Sequence, residues 1–243
     1  MAEEGIKDKE ISKQLGRSIN SIRSKRYKND IKTKRLNKNI FDKLNNRSSW
    51  LLGLITSDGT FFENRLEFSN TDYELISNFK KILEIKNNIY EDVNEKYSNG
   101  KCYHTSIRSD YLINRLKEIN AYGNKDNRNP FKFIPENNKW SFIKGLFDGD
   151  GNFYKGTFSI AGRKEIIKEV YYWICNKINK NPNKIYQTTS SNKTFYFQIN
   201  GKDTKNVLDK ILKNSYDDFN SNKIKKHILI SFKLYYIFSR QRS

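Results

Sequence analysis

Two stretches of the sequence end an apolar run in Asp-Gly, and their acids are the strongest candidates for chemistry. WLLGLITSDG ends at Asp58 and Gly59, and FIKGLFDGDG ends at Asp150 and Gly151. Each run predicts a helix whose C-terminal carbonyls and negative dipole end would attract a cation beside the acid. Two carboxylates brought together repel each other unless a cation lies between them, and a divalent metal held there supports phosphodiester hydrolysis.

Small residues recur along one side of each predicted helix. Gly53 and Ser57 are four residues apart in the first helix, and Gly145 and Gly149 have the same spacing in the second. Residues of this size at this spacing let two helix backbones touch, which would bring the two acids side by side. A single Asp-Gly pair is more often an ordinary turn, but two copies favour a shared cation.

The two motifs begin two copies of the same order of elements, and their acids lie 92 residues apart (150 minus 58). After each Asp-Gly, the pattern predicts a hairpin, a helix, a second hairpin and a second helix. So long a period indicates an internal duplication rather than a solenoid of short repeats. We therefore predict a leader, 1–47, a first repeat, 48–140, and a second repeat, 141–243, which ends in a closing helix.

The charge balance indicates a polyanionic partner. The 243 residues include 46 Lys+Arg and 27 Asp+Glu, which leaves a formal net charge of +19. An anionic membrane would also suit this charge, but no uninterrupted apolar segment reaches spanning length, so nucleic acid is favoured. Cys102 and Cys175 have no metal-ligand spacing and follow no signal peptide, which predicts reduced thiols in an intracellular protein that is not secreted.

The leader is basic and has few aromatic residues. Its segment IKDKEISKQLGRSINSIRSKRYK predicts a helix, a turn at Gly16 and a second helix capped by Ser18. This segment resembles the helix-turn-helix of small DNA-binding domains, whose second helix lies in the major groove. A solvated helical hairpin that packs on the body is the alternative. The side chains that the second helix would turn toward DNA are Asn20, Ser21, Arg23 and Lys25.

The predicted hairpins alternate apolar and polar residues, so each strand has one face of each kind. Arg, Asn and Gln can contact base edges through two hydrogen bonds, and we predict that the polar face reads a DNA groove. The alternative is a solvated face, which is usual for a one-sided antiparallel sheet. The predicted DNA-facing residues are Arg65, Glu67, Ser69, His104, Ser106 and Arg108 in the first repeat and Thr157, Ser159, Thr194, Tyr196, Gln198 and Asn200 in the second.

The stretches LLGLITSDG (51–59) and IKGLFDGDG (143–151) resemble the two signature motifs of LAGLIDADG homing endonucleases. The resemblance extends from about residue 48 to about residue 235, because the family's element order follows each motif. It implies an α+β monomer whose two pseudo-symmetric αββαββα repeats form saddle-shaped antiparallel sheets for the DNA major groove. It also implies that Asp58 and Asp150 hold Mg²⁺ or Mn²⁺, and that Ca²⁺ binds without supporting cleavage.

The family further implies a basic residue near each acid, after the last helix of each repeat. The resemblance places Arg128 and Lys132 in this role for the first repeat and Lys223, with Lys226 in reserve, for the second. An arginine is a poor proton carrier because its charge is fixed, and each of these residues could equally be a surface cation. Asp148 matches a less critical acid of the motif, so the chemistry should not depend on it.

Two hypotheses follow from these residues. The first is a monomeric endonuclease that cuts both strands of a long DNA site, pseudo-palindromic or asymmetric, with a divalent metal. The second is a protein of the same fold that binds DNA without cutting it, or that assists intron RNA splicing as a maturase. The paired acids favour the first, because a non-cleaving protein has no electrostatic reason to keep two facing carboxylates. The duplication disfavours a basic packaging protein.

Overall fold

The computed structural model describes residues 8–29, 36–93, 100–189, 191 and 193–215. The leader contains α1 (Asp8–Leu15) and α2 (Ile19–Lys28). The first repeat consists of α3 (Asn46–Asp58), β1 (Gly59–Phe62), β2 (Arg65–Asn70), α4 (Tyr73–Ile82), β3 (Tyr90–Val93), β4 (Lys101–Arg108) and α5 (Asp110–Glu118). The second repeat consists of α6 (Lys139–Asp150), β5 (Gly151–Tyr154), β6 (Thr157–Gly162), α7 (Lys164–Lys177), β7 (Tyr186–Gln187), β8 (Phe195–Asn200) and α8 (Lys202–Asn214).

Each repeat builds one four-stranded antiparallel sheet with the same strand order. The orders are β1-β2-β4-β3 and β5-β6-β8-β7. Phe68 lies opposite Thr105 in the first sheet, and Ile160 lies opposite Phe197 in the second. These four side chains are fully buried, so one face of each sheet covers the core. The predicted α+β fold and duplication are therefore confirmed.

The helices that end in the two acids pack directly against each other. A Cβ atom on Gly53 would lie 2.8 Å from the Cα atom of Gly145, and one on Gly145 would lie 2.9 Å from the Cα atom of Gly53. No side chain fits between backbones at this distance, since real Cβ contacts essentially never fall below 3.0 Å. The small residues of the motifs thus form the contact between the repeats, as the spacing predicts.

The core continues from one repeat into the other across this helix pair. Aromatic rings tie each sheet to its helices: the centroids of Phe68 and Phe79 are 4.2 Å apart, and those of Phe147 and Phe158 are 4.8 Å apart. Because α3 and α6 are buried almost all round, their orientation is set by packing on both repeats at once. Such a core holds the two helix ends rigidly.

The leader has two different parts. Its helices α1 and α2 are joined at Gly16, whose φ of +61° suits glycine, and the Ser18 hydroxyl accepts a hydrogen bond from the Ser21 amide at 3.2 Å. Closer to the first repeat, the fully buried Phe41 packs in the body core, and its carbonyl accepts a hydrogen bond from Arg115 Nε at 3.0 Å. A deletion that removes only the leader helices should therefore end before residue 36.

None of the helices in the described ranges is long and apolar enough to cross a membrane. The closing helix predicted near the C-terminus lies outside the described residues.

Candidate active site

The two acids occupy equivalent positions, as the final residues of α3 and α6. Gly59 and Gly151 follow them, and their amides donate to the carbonyls of Ile55 and Phe147 in the last helical turns. The chain then enters a strand at once, so each acid sits at a helix-to-strand corner. A Cβ atom on Gly59 would lie 2.5 Å from the Ile55 carbonyl oxygen, which explains why the corner needs glycine.

The helix packing brings the two corners together. A Cβ atom on Gly149 would lie 2.6 Å from the Cβ atom of Ser57 and 2.7 Å from Asp58 Oδ2. The Asp58 carboxylate therefore lies against the last turn of α6, next to the residue that precedes Asp150. This geometry places the two acids in one region between the repeats, as the motif spacing predicts.

Asp58 has a partner that the sequence analysis did not single out. Asn70, the last residue of β2, donates a hydrogen bond from Nδ2 to Asp58 Oδ2 at 2.9 Å. The Asn70 side-chain carbonyl accepts from the Asp72 amide at 2.9 Å, which fixes the orientation of the side chain. Gly162 ends β6 at the equivalent place in the second repeat, so no side chain matches Asn70 there. The sequence offered one signal for this contact, which is that Asn70 ends its strand where the other repeat has glycine.

A cavity of about 240 Å³ opens beside Asp150. Basic side chains from two parts of the chain line it. Lys125 and Arg128 belong to the linker between α5 and α6, residues 119–138, and Arg163 directly precedes α7. Lys125 Nζ donates a hydrogen bond to the Ser57 carbonyl. The remaining lining residues are Thr56, Ser57, Leu146, Ala161, Gly162, Ile166, Ile167 and Thr194.

Two of these basic residues were missed by sequence reasoning. Lys125 is close to the predicted Arg128 in the linker, but the sequence offered no reason to choose between neighbouring cations. Arg163 is held by Asp126, whose Oδ1 lies 2.7 Å from Arg163 Nε, and Arg163 Nη1 donates to the Lys193 carbonyl at 2.9 Å. Arg163 therefore reaches the cavity from the second repeat, whereas Lys125 is bonded to the Ser57 carbonyl of the first.

Arg128 does not suit the catalytic role predicted for it. Its side chain is buried, and its guanidinium donates to the carbonyls of Gly123, Ile55 and Gly59 at 2.7, 3.1 and 2.8 Å. Burial lowers its pKa to about 10, so it stays charged at neutral pH. Three of its donors are thus committed to carbonyls around the end of α3, and we assign Arg128 to holding this helix end.

Lys132 also lies in a different environment from the one predicted. It is not among the residues that line the cavity, and its Nζ lies 3.2 Å from Glu169 on α7. The side chain is well exposed, so the pair is a surface ion pair. Lys223 and Lys226, predicted for the second repeat, lie outside the described residues.

Asp148 is set apart from the corner acids by its contacts. It is buried, and Trp50 Nε1 donates to its Oδ2 at 2.8 Å across the helix pair. In the first repeat Thr56 takes this position and donates to the Leu52 carbonyl at 2.7 Å. These contacts give Asp148 a role in packing the helices, in agreement with the expectation that chemistry does not depend on it.

The outer face of the first sheet contains the side chains predicted to meet DNA. Strand register places Arg65 opposite Arg108, Glu67 opposite Ser106 and Ser69 opposite His104. The alternate residues, such as Leu66 and Ile107, are buried, so the predicted set lies on the face away from the core. Arg65 is close to Glu67, with 3.9 Å between Nη2 and Oε2.

The second sheet has a matching polar face. Thr157 lies opposite Asn200, and Ser159 lies opposite Gln198. Tyr196 lies on the same face, where its ring stacks on that of Tyr186 with centroids 5.4 Å apart. Thr194 differs, because it precedes β8 and lines the cavity beside Asp150.

The leader also exposes the predicted side chains. Asn20, Ser21, Arg23 and Lys25 are exposed on α2, while Ile22 is buried. Arg23 Nε lies 3.5 Å from Asp8 Oδ2 on α1. The surface is basic, and its contact with DNA stays a prediction.

Comparison with known proteins bears on the fold. Residues 45–120 match the model of the LAGLIDADG-like domain. The structure of the I-LtrWI LAGLIDADG homing endonuclease bound to target DNA is similar, with 14% identity over 84% of this chain and 92% of that one and a TM-score of 0.51. I-DmoI in complex with DNA and Ca shows 18% identity over 72% of this chain and 90% of that one, with a TM-score of 0.44. I-DmoI in complex with DNA and Mn shows 18% identity over 74% of this chain and 99% of that one, with a TM-score of 0.45.

A comparison with curated proteins found no match. The matched domain comprises the first motif helix, both hairpins of the first repeat and α5. The likeness to I-LtrWI extends over most of the chain, which includes the second repeat. The chain thus contains a LAGLIDADG-like domain and has, over its two repeats, the fold of the LAGLIDADG homing endonucleases.

Proposed function

We propose that the protein is a site-specific endonuclease that cuts both strands of DNA with a divalent metal held by Asp58 and Asp150. The observation that carries this proposal is the approach of the two helix ends, at which the Asp58 carboxylate lies against the turn that precedes Asp150. Two carboxylates at neighbouring helix ends repel each other, and a divalent cation shared between them would relieve that repulsion.

The donor set fits a metal that is shared with the substrate. Among the described residues, no group of three or more His, Cys, Asp or Glu side chains comes together. A pair of carboxylates is therefore what the protein offers, and Mg²⁺ is commonly bound by one or two carboxylates together with substrate phosphates and water. We propose Mg²⁺ or Mn²⁺ as the working ion and expect Ca²⁺ to bind without supporting cleavage.

The bound metal would supply an activated water and stabilise the leaving oxygen. The chain's own residues would then position the phosphate. Lys125 and Arg163 lie around the cavity beside Asp150, where their charges can hold a phosphodiester against the acid. Asn70 orients the Asp58 carboxylate through its hydrogen bond.

The sheets would hold the DNA. Each polar face presents side chains that can bond base edges in a major groove, and two such faces on one chain suit a long site, pseudo-palindromic or asymmetric, bound by a monomer. We propose that α2 adds contacts through Asn20, Ser21, Arg23 and Lys25.

The test is cleavage of a randomised DNA library in Mg²⁺, followed by sequencing of the ends. We expect discrete double-strand cuts with the wild-type protein and none with Asp58→Asn or Asp150→Asn, while both variants still bind the recovered site. Asp209→Asn, which removes an exposed charge on α8, is the matched control and should cut normally.

Two outcomes would contradict the proposal. Specific binding without cuts in Mg²⁺ or Mn²⁺ would favour a DNA-binding protein or an intron RNA maturase of the same fold. Loss of binding in the two acid variants, with their folding unchanged, would show that the acids shape the DNA surface rather than hold a metal.

A further inference from the structure

A second cavity, of about 530 Å³, lies at the outer edge of the second sheet. It is lined by Lys164 and Lys168 from α7, by Lys184 ahead of β7, and by residues of β7 and β8 that include Tyr186 and Phe195. None of the described residues that line it is a carboxylate. We call this cavity the lysine pocket.

Aromatic rings contact two of the three lysines. Lys164 Nζ lies 5.6 Å from the ring centroid of Phe195, and Lys184 Nζ lies 5.9 Å from that of Tyr186. Such contacts orient an ammonium group but do not neutralise its charge. Within the described ranges, none of the three lysines forms an ion pair with a carboxylate. The pocket therefore concentrates positive charge that an anion can use.

The first repeat has acids along the matching outer strand and no lysine in the place of Lys164. Tyr73 takes that place, because Tyr73 and Lys164 are the first residues of α4 and α7, and the strand pairing matches Gln187 to Glu91. Glu91 and its neighbour Asp92 pair with Lys101 at 2.8 Å and with His104 at 3.2 Å. The outer edge of the first sheet is thus neutralised within the protein, whereas that of the second sheet is not.

The lysine pocket and the cavity beside Asp150 are lined by neighbouring residues of the same two segments. Arg163 and Thr194 line the cavity, and the next residues, Lys164 and Phe195, line the pocket. Basic side chains therefore occur both beside the acid and at the outer edge of β7. A chain of phosphates that enters the cavity would have its neighbouring phosphates within reach of these lysines.

We propose that the lysine pocket binds phosphates of duplex DNA next to the one placed at Asp150. The second repeat then holds its half of the DNA through contacts with DNA phosphates, and the first repeat lacks such contacts at its own sheet edge. This inference rests on the proposed function, because it assumes that DNA lies across the two sheets.

The test uses a random-sequence 30-base-pair duplex and measures how the binding constant changes with salt. Removing three phosphate contacts should reduce the slope of log K against log salt by about 2 to 3, since each contact contributes about 0.9. The variant is Lys164→Gln with Lys168→Gln and Lys184→Gln. Its control is Lys202→Gln with Lys205→Gln and Lys213→Gln, which removes the same charge from exposed positions on α8.

We expect a reduced slope in the pocket variant and a change below about 1 in the control. An unchanged slope in the pocket variant, or equal reductions in both variants, would overturn the inference and leave the endonuclease proposal standing. No salt-dependent duplex binding by the wild-type protein would overturn both proposals. A pocket variant that loses affinity for a structured RNA hairpin but not for the duplex would assign the pocket to RNA instead.

Discussion

The two repeats have the same fold but surround their acids differently. Asp58 is oriented by the Asn70 amide, which the second repeat replaces by Gly162. Asp150 instead borders a cavity lined by Lys125 and Arg163. Pseudo-symmetry therefore sets where the acids lie, while single side chains make the two halves of the site unequal.

The outer edges of the sheets differ in the same sense. Glu91 and Asp92 give the first edge its own negative partners, and a hydrogen bond from Lys101 to Glu91 raises the pKa of that lysine. The second edge carries three lysines without carboxylates in the pocket. If the protein cuts DNA as proposed, these differences in the cavity and at the edge predict that the two strands are handled unequally.

Lys125 offers the strongest way to break this comparison. Lys125→Gln should slow cleavage by about 100-fold, because a positioned charge beside the reacting phosphate contributes to the transition state. DNA affinity should change far less. Single-turnover cleavage on a saturating concentration of protein measures the effect, and Lys132→Gln, a nearby surface lysine, should cut at the wild-type rate. Equal losses in the two variants would contradict a role specific to Lys125.

Asn70 tests whether the two acids act on different strands. Asn70→Ala removes a hydrogen bond to a carboxylate, which is worth about 1.5–3 kcal/mol and corresponds to a loss of about tenfold or more. We expect one strand to be cut more slowly than the other, measured on a duplex labelled at each end. Asn78→Ala, an amide on α4 that bonds the Glu74 carbonyl, is the control. Equal slowing of both strands would show that Asn70 serves the site as a whole.

The sheet edge should give the smallest effect. Glu91→Gln with Asp92→Thr makes the first edge resemble the second, which should strengthen duplex binding by about two- to fivefold, as expected for exposed charges. Titration at low salt measures the gain, and Asp110→Asn with Glu118→Gln on α5 provides a charge-matched control. If the control variant gains as much affinity, net charge alone would explain the effect.

Much of this architecture is readable from local patterns. The spacing of small residues predicted the contact of Gly53 with Gly145, and strand alternation predicted that Arg65 and Gln198 lie away from the core. These features repeat with the period of the helix or strand that contains them, so neighbouring residues report them reliably. The packed segment around Phe41 has no such period, which is why it was assigned to the leader.

Linker side chains could not be assigned in this way. Lys125, Arg128 and Lys132 are cations within one short segment. Lys125 bonds the Ser57 carbonyl, Arg128 is buried against carbonyls around the end of α3, and Lys132 pairs with Glu169. Their positions depend on how the linker folds over both repeats. Their residue type cannot distinguish them, because it does not show where each side chain points once the linker has folded.

The order of residues is enough to predict the duplication, the two acids at helix ends, the helix contact and the polar faces of the sheets. The packing of the two repeats creates the partner of Asp58, the cations beside Asp150 and the lysine pocket. The physical reason is separation along the chain. Helix and strand periods relate residues a few positions apart, whereas the contacts around the two acids join residues that only the packed repeats bring together.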